Sequence, residues 1–179
     1  GRARGACGHQ RRLGAAAGHG VRRRLILGIL QKLRVLEFIR RRIVGHVAVP
    51  HLVVESDAEK VEDLNRRKIP VLFGDAANSD ILKIARLGSA RALVVTIPDE
   101  AAAALVVAGA KQLAPDLPVV ARASTQAGVK HLNELGAQDV IHPELEGGLE
   151  IVRHTLLRLG FPARDIQRYT DVVRSENYD

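Results

Sequence analysis

The feature that most constrains the fold is a regular alternation of short apolar segments and helical patterns, which starts at residue 50. Most of the apolar segments are continuous rather than alternating, as is typical of strands buried on both faces. Strands that alternate with helices form βα units and a parallel sheet. The order therefore predicts an α/β fold, a Rossmann-like parallel sheet with flanking helices.

The boundaries of the elements follow from capping residues and turn residues. Asp57 is suited to cap one helix, and Asn78 or Ser79 to cap the next. Aromatic residues are only 3% of the chain and Trp is absent, so the core has to be built from Val, Leu, Ile and Ala. We predict strands at 51–56, 69–77 (running into a turn), 91–98, 117–123 and 137–143, and helices at 57–68, 78–88, 99–114, 124–136 and 144–160.

Residues 1–49 differ from the rest of the chain. The formal net charge of the chain is +7, but its basic residues are concentrated in the first quarter, where Glu37 is the one acid before residue 50. We therefore divide the chain into a basic head rich in Arg, Gly and Ala (1–49), a Rossmann-like domain (50–160) and a C-terminal segment (161–179) that forms a short helix and a linker. The head has no nucleic-acid motif, so we expect no nucleic-acid partner.

The head does not supply an obvious first strand. Residues 25–39 fit one amphipathic helix, and residues 43–49 could form a strand. However, Pro50 alone separates that segment from the strand at 51–56, whereas parallel neighbours need a connection of about a dozen residues. We therefore expect the first strand of the sheet to be missing or altered.

The second strand ends in acidic residues. Glu55 and Asp57 stand where an acid accepts hydrogen bonds from the ribose of NAD in dinucleotide-binding folds and repels the 2′-phosphate of NADP. The alternative is structural, with Asp57 as a helix cap and Glu55 as a solvated strand end. Cys7 is the one cysteine, which excludes an internal disulfide and a cysteine-based zinc site.

The ends of the next three strands also carry candidate ligand-binding residues. Ligands of open parallel sheets lie beyond the carboxyl ends of the strands. At those ends Gly74 permits a tight turn before Asp75, Thr96 and Ile97 would lie beside a nucleotide, and Arg122 could meet a phosphate or pair with a local acid. The alternative is structural, because Asp and Pro are common in the loops that connect strands to helices.

Taken together, "VVESD", "LFGDAAN", "VVTIPDE", "VVARAS" and "HPELEGGLEI" resemble the RCK family, regulators of potassium conductance that are also called KTN or TrkA-N domains. The likeness covers about residues 50–178 and is greatest to the cytoplasmic domains of Kef-type potassium:proton antiporters. It implies a nucleotide-sensing regulatory domain that gates potassium transport as a homodimer through helix 144–160. The implied partner is a membrane cation transporter domain, and the implied location is cytoplasmic, at the inner face of the membrane.

The resemblance also implies roles for the candidate residues. Glu55 would hold the ribose of NAD(H) or another adenine nucleotide such as AMP or ATP. Asp75 and Ala76 would lie at the edge of the adenosine, and Thr96 and Ile97 near the adenine. Arg122 matches the family's pattern less closely.

The family's glycine-rich phosphate loop is absent where we expect it, about 20 residues before Glu55. Residues 30–40 contain no glycine, and the Gly-x-Gly at 18–20 lies too far upstream. The head is therefore a frame-shifted start, a genuine basic linker or a diverged segment. If the loop is lost, nucleotide binding is lost with it, and the alternative function is a dimerisation scaffold.

An NAD-dependent oxidoreductase is a weaker alternative. A dehydrogenase needs a catalytic domain with a proton donor near the nicotinamide, and after residue 143 the sequence offers one long helix and a tail. The histidines lack metal-binding spacing, and there is neither a Gly-x-Ser-x-Gly elbow nor a lysine-bearing phosphate loop. We therefore expect no catalytic activity, no catalytic residue and no metal site.

Overall fold

The computed structural model of the chain describes residues 24–28 and 50–178. Their strands form one six-stranded sheet with the order β3-β2-β1-β4-β5-β6, and every neighbouring pair is parallel. This confirms the predicted Rossmann-like class. The strands are β1 (Arg24–Gly28), β2 (His51–Glu55), β3 (Val71–Phe73), β4 (Ala90–Val95), β5 (Val119–Arg122) and β6 (Asp139–Ile141).

The helices follow the strands in the predicted alternation. A short 3-10 turn, Leu87–Ser89, precedes β4. The α-helices are α1 (Ala58–Arg66), α2 (Ser79–Ile84), α3 (Glu100–Leu113), α4 (Gln126–Glu134), α5 (Pro143–Arg158) and α6 (Ala163–Tyr178).

The position of β1 corrects two expectations about the head. Residues 25–28 belong to a strand and not to a helix at 25–39, and that strand lies in the sheet centre, between β2 and β4. The sheet therefore has its central strand. The connection between β1 and β2 is long enough for a crossover, so Pro50 poses no obstacle. The proposed strand at 43–49 lies outside the described residues.

The core occupies both faces of the sheet, as the continuous apolar runs predicted. Along β2, Val54 joins the main core cluster and Val53 joins a smaller cluster with Leu64 and Ile69. Adjacent residues of a strand point to opposite faces, so β2 is buried on both sides. Leu93 and Val95 of β4 likewise lie at 0–1% exposure in the main cluster.

Polar side chains cap four helices directly after strand ends. Asp57 accepts hydrogen bonds from the backbone N–H groups of Glu59 and Lys60 at the start of α1. Asn78, Asp99 and Thr125 cap α2, α3 and α4 in the same manner. These caps satisfy N–H groups that have no partner within the helix, and they fix where each loop at the carboxyl edge ends.

The C-terminal segment forms a longer helix than the short one we predicted. The 16-residue α6 packs against α4 and α5. Arg174 forms a salt bridge to Glu146 of α5, with 3.0 Å between Nη2 and Oε2. The Tyr178 hydroxyl accepts a hydrogen bond from the backbone N–H of His142 at 3.1 Å and donates to Glu146. The end of α6 is thereby fixed at the loop that follows β6.

Candidate functional site

The candidate site lies at the carboxyl edge of the sheet, where the strand order changes direction. From β1 the chain proceeds to β2 and β3 on one side and then returns to β4, β5 and β6 on the other. Such a switch point leaves a crevice between the two central strands, and ligands of open α/β sheets bind there. The ends of β2, β3, β4 and β5 carry the residues that the sequence singled out.

Glu55 is the most informative residue of this edge. Its Oε1 accepts hydrogen bonds from the backbone N–H groups of Ser56, at 2.9 Å, and Asp57, at 3.0 Å. The residue is 0% exposed, which contradicts the alternative of a solvated strand end. Its Oε2 is buried and has no hydrogen-bond partner in the described part of the chain. An unpaired buried acceptor costs roughly 1–3 kcal/mol, which a donor on a ligand would recover.

Asp57 has a structural role in this arrangement. Its carboxylate caps α1 and lies 3.2 Å from the Lys60 ammonium group. The hydrogen bond from the Lys60 side chain, followed by that from its backbone N–H, lowers the pKa of Asp57. The cap interpretation is therefore confirmed, and the carboxylate stays ionised at neutral pH.

The turn after β3 adjoins Glu55. The backbone N–H of Gly74 donates to the Glu55 carbonyl at 2.9 Å, and a side chain at position 74 would place its Cβ 2.5 Å from Cδ1 of Ile81. Asp75 is exposed and accepts from the Ala77 N–H at 2.9 Å, which closes a tight turn. Ala76 is 1% exposed and belongs to the main core cluster.

The loop after β4 places Thr96 and Ile97 on the other side of the crevice. Both are buried, at 6% and 7% exposure, and Ile97 belongs to the main core cluster. Sequence reasoning assigned no role to Glu100, which starts α3 after this loop. Its Oε1 accepts from the Ser124 N–H at 2.8 Å, and both of its oxygens lie 3.1 Å from the Thr125 hydroxyl. Glu100 therefore ties the loop after β4 to the loop after β5.

Arg122 ends β5 in a local ion pair. Its Nη2 donates to Oε1 of Glu144 at 2.8 Å, and its Nε is buried without a partner among the described residues. The backbone N–H of Glu144 donates a hydrogen bond to the carboxylate of the same residue. This hydrogen bond, together with the charge of Arg122, lowers the pKa of Glu144. Pairing with a local acid is the alternative that the sequence had left open beside phosphate binding.

The end of β1 shows where a phosphate loop would begin. Gly28 ends β1 beside Val54, one position before Glu55 along β2. Nucleotide-binding folds place G-x-G-x-x-G after this strand, with the acid about 20 residues further on. The sequence from Gly28 reads "GILQKL", which retains the first glycine of that motif and has Leu30 and Leu33 at the positions of the others. Our search for glycines at 30–40 missed this register because it did not place a strand at 24–28.

The described residues offer no other obvious chemistry. Within 24–28 and 50–178, no three His, Cys, Asp or Glu side chains come together in a way that could hold a metal ion. None of the helices in that part of the chain combines the length and apolarity needed to cross a membrane. What remains is the carboxyl edge of the sheet, with one preorganised carboxylate, buried apolar residues and a tight turn. That combination suits a ligand with hydroxyl donors beside a flat apolar group.

Comparison with known proteins defines the class. The sequence profile of the TrkA-N domain matches residues 39–143, more than half of the chain. The chain therefore belongs to the TrkA-N domain family, in agreement with the resemblance recognised in its sequence.

Curated relatives of the chain include potassium transport proteins. It is 29% identical to the putative K(+) efflux antiporter KefB of Alkalimonas amylolytica over 162 residues, 89% of this chain and 24% of that protein. Residues 50–179 form less than three quarters of the chain, so this similarity extends into the basic head. The chain spans about a quarter of the length of this curated relative.

Two solved structures share the fold. The TrkA-N domain of the inner membrane protein ybaL from Escherichia coli superposes with a TM-score of 0.64 at 29% identity, covering 76% of this chain and 95% of that one. The Shewanella denitrificans Kef CTD in AMP bound form superposes with a TM-score of 0.71 at 20% identity, covering 86% and 92%.

Proposed function

We propose that the chain is a nucleotide-sensing regulatory domain of a potassium or other cation:proton transport system, and not an enzyme. It would bind NAD(H) or another adenine nucleotide such as AMP or ATP at the carboxyl edge. The ligand would bind one arrangement of a dimer more tightly than another and so raise the population of that arrangement. The transporter would respond to this change in population. Its place would be the cytoplasmic face of the membrane, beside a membrane cation transporter domain.

The observation that carries this proposal is the unpaired Oε2 of Glu55. The other oxygen is held by two backbone N–H groups, so the carboxylate is oriented before a ligand arrives. A ribose supplies vicinal hydroxyl donors, and an acid at the end of the second strand is where such folds bind them. Gly74, Asp75, Ala76, Thr96 and Ile97 would then line the adenosine part of the ligand. Arg122 would take a phosphate only after leaving Glu144.

The proposal is tested by titrating the full chain with AMP and measuring the heat of binding by calorimetry. We expect saturable binding that weakens at least tenfold in Glu55→Gln, because the amide keeps an acceptor for the two N–H groups but lacks the charge that strengthens bonds to hydroxyls. The matched control is Glu62→Gln on α1, which removes an exposed carboxylate and should leave binding unchanged. Equal affinity of the wild-type chain and Glu55→Gln would contradict the assignment.

The homodimer is proposed through α5, in the region 144–160. In this region Leu149 is buried within the chain, whereas Val152 and Leu159 are exposed at 49% and 68%. Ile151 within α5 is exposed at 70%, and Phe161, three residues after the end of the helix, at 52%. Several exposed apolar residues on one helix and directly after it are typical of a protein interface.

Light scattering over a concentration series tests the dimer. Ile151→Glu should weaken the dimer at least tenfold, because it places a charge in an apolar interface without disturbing the folded monomer. Leu105→Glu on α3 is a matched control, because Leu105 is 60% exposed on another helix. Equal dimer fractions for both variants would exclude α5 as the interface.

The alternative function is a dimerisation scaffold that no longer binds nucleotide. It is favoured by the leucines at positions 30 and 33, where the phosphate loop needs glycine, and by the pairing of Arg122 with Glu144. A chain that dimerises through α5 but binds none of AMP, ATP and NADH would establish the scaffold.

A further inference from the structure

We propose that the amino edge of the sheet, where the strands begin and the helices that precede them end, is a docking surface for an anionic lipid membrane. The inference goes beyond the proposed function, because it specifies which edge of the domain lies against the membrane. The candidate ligand site at Glu55 lies at the opposite edge, so the two can be tested separately. Three features support the proposal: unpaired cations, their backbone conformation and their spacing.

Three exposed cations lie at the amino edge. Lys68 lies between α1 and β3, Arg86 between α2 and the 3-10 turn that precedes β4, and Arg91 is the second residue of β4. None of the three forms a salt bridge within the part of the chain that the structure describes, whereas basic residues just before Lys68 and Arg86 pair with acids of α1 and α2. Their charges therefore remain available to an anionic partner.

The acids near the amino edge do not neutralise these cations. Asp63, in the last turn of α1, already pairs with two arginines, at 2.8 and 3.5 Å. Glu37 is the one acid in the sequence before residue 50, so the undescribed residues add more positive than negative charge. The exposed acids Asp116, Glu134 and Asp139 lie before β5 and at the start of β6. Asp116 borders the same cleft as Arg91 but forms no ion pair with it. The basic surface is thus confined to the half of the edge formed by β3, β2, β1 and β4.

Two of the three cations hold a left-handed backbone conformation. The angle φ is 55° at Lys68 and 57° at Arg86. A residue with a Cβ adopts this region at a cost in free energy, so chains usually place glycine there at the end of a helix. This chain does so after α4 and α5, where φ is 97° at Gly136 and 84° at Gly160. A cation at a position that favours glycine indicates a role for the charge other than folding.

The spacing of the cations suits an extended surface rather than one phosphate group. In the sheet, β2 and β1 separate β3 from β4, and neighbouring strands lie about 4.8 Å apart, so the turns before β3 and β4 are about 14 Å apart. The two helices also pack on opposite faces of the sheet, since Leu64 of α1 and Leu82 of α2 belong to different core clusters. A flat lipid surface can reach charges on both faces at once, whereas an extended peptide follows a single line.

Co-sedimentation of the full chain with lipid vesicles tests the proposal. We expect binding to vesicles that mix phosphatidylcholine with phosphatidylglycerol, no binding to phosphatidylcholine alone, and weaker binding as the salt concentration rises. A chain that binds AMP but not the anionic vesicles would overturn this inference and leave the proposed function standing. Binding to polyglutamate but not to the vesicles would assign the surface to an acidic protein segment and would equally overturn the inference.

Two glycine substitutions test whether the amino edge is responsible for that binding. A cation near an anionic membrane contributes about fivefold in affinity, so Lys68→Gly/Arg86→Gly should weaken vesicle binding at least tenfold. Because glycine tolerates the φ angles of both positions, the melting temperature should not fall.

The matched control is Lys130→Gln/Arg164→Gln, which removes the same charge from exposed positions on α4 and α6. It should leave vesicle binding nearly unchanged. Equal losses for the two double variants would show that net charge, and not the amino edge, governs binding, and would overturn the proposal.

Discussion

The contact between Glu100 and Gly128 allows a quantitative prediction about how the two loops of the site are held together. A Cβ at position 128 would lie 2.5 Å from Oε1 of Glu100 and 2.6 Å from its Cδ, so Gly128→Ala must displace the carboxylate. That movement breaks its hydrogen bonds to the Ser124 N–H and the Thr125 hydroxyl. Hydrogen bonds to a charged group contribute about 1.5–3 kcal/mol, so we take a loss of about 2 kcal/mol for this partly exposed carboxylate.

The same substitution also has a favourable component. Alanine is better than glycine inside a helix by about 1 kcal/mol, and position 128 lies in the first turn of α4. Gly128→Ala alone should therefore lower the free energy of unfolding by about 1 kcal/mol. In a Glu100→Ala background there is no carboxylate to displace, and Gly128→Ala should stabilise the domain by about 1 kcal/mol. The sign reverses, with a coupling free energy of about 2 kcal/mol.

That coupling is measured by urea denaturation monitored by circular dichroism. The wild-type chain, the two single variants and the double variant are compared. A chain of this size should also show a difference of about 2–4 °C in melting temperature per kcal/mol. If Gly128→Ala has the same effect in both backgrounds, within about 0.5 kcal/mol, the carboxylate does not join the loops and the reasoning is refuted.

Two further predictions concern α5 and α6. Tyr178→Phe should lower the free energy of unfolding by about 1 kcal/mol in the same denaturation assay, because the His142 N–H loses its acceptor. The control is Tyr169→Phe, at a position that is 59% exposed, which should leave the free energy of unfolding unchanged. Hydrogen bonding to Arg153 lowers the pKa of Glu150 from 4.5 to about 2, so this exposed pair favours the folded state fully above pH 4.5 and loses that effect as the pH falls towards 2. Arg153→Gln should return the Glu150 pKa towards 4.5 in an NMR titration, and an unchanged value would contradict the assigned cause.

Much of the fold after residue 50 could be predicted because local and tertiary signals agree there. The strand at 51–56, for example, is observed at His51–Glu55, and the cap at Asp57 starts the helix that follows. Continuous apolar runs between capped helices leave few alternatives to a parallel sheet.

The central strand could not be predicted from the sequence alone. Residues 24–28 lie at the start of a longer apolar stretch that also has helical spacing, and a short buried strand cannot be distinguished from a helix by periodicity. What identifies β1 is pairing with β2 and β4, which are distant in the sequence. Missing this strand also hid the position of Gly28 at the end of β1, where the first glycine of the family's motif is expected.

The candidate site was predictable in position but not in detail. Strand ends locate Glu55, Asp75, Thr96 and Arg122 at one edge, because the carboxyl ends of parallel strands meet there. The sequence could not show that one oxygen of Glu55 is fixed and the other unpaired, or that Arg122 pairs with Glu144. Those facts depend on which backbone and side-chain groups tertiary packing brings together.

The most direct test of the central claim is a comparison of adenosine and 2′,3′-dideoxyadenosine binding to the full chain by calorimetry. If the unpaired carboxylate oxygen of Glu55 binds the ribose diol, removing both hydroxyls deletes a hydrogen bond to a charged acceptor that contributes about 1.5–3 kcal/mol. We predict that the dideoxy compound binds at least tenfold more weakly. Equal affinity for the two compounds would contradict a ribose-binding role for Glu55 and with it the nucleotide-sensing assignment.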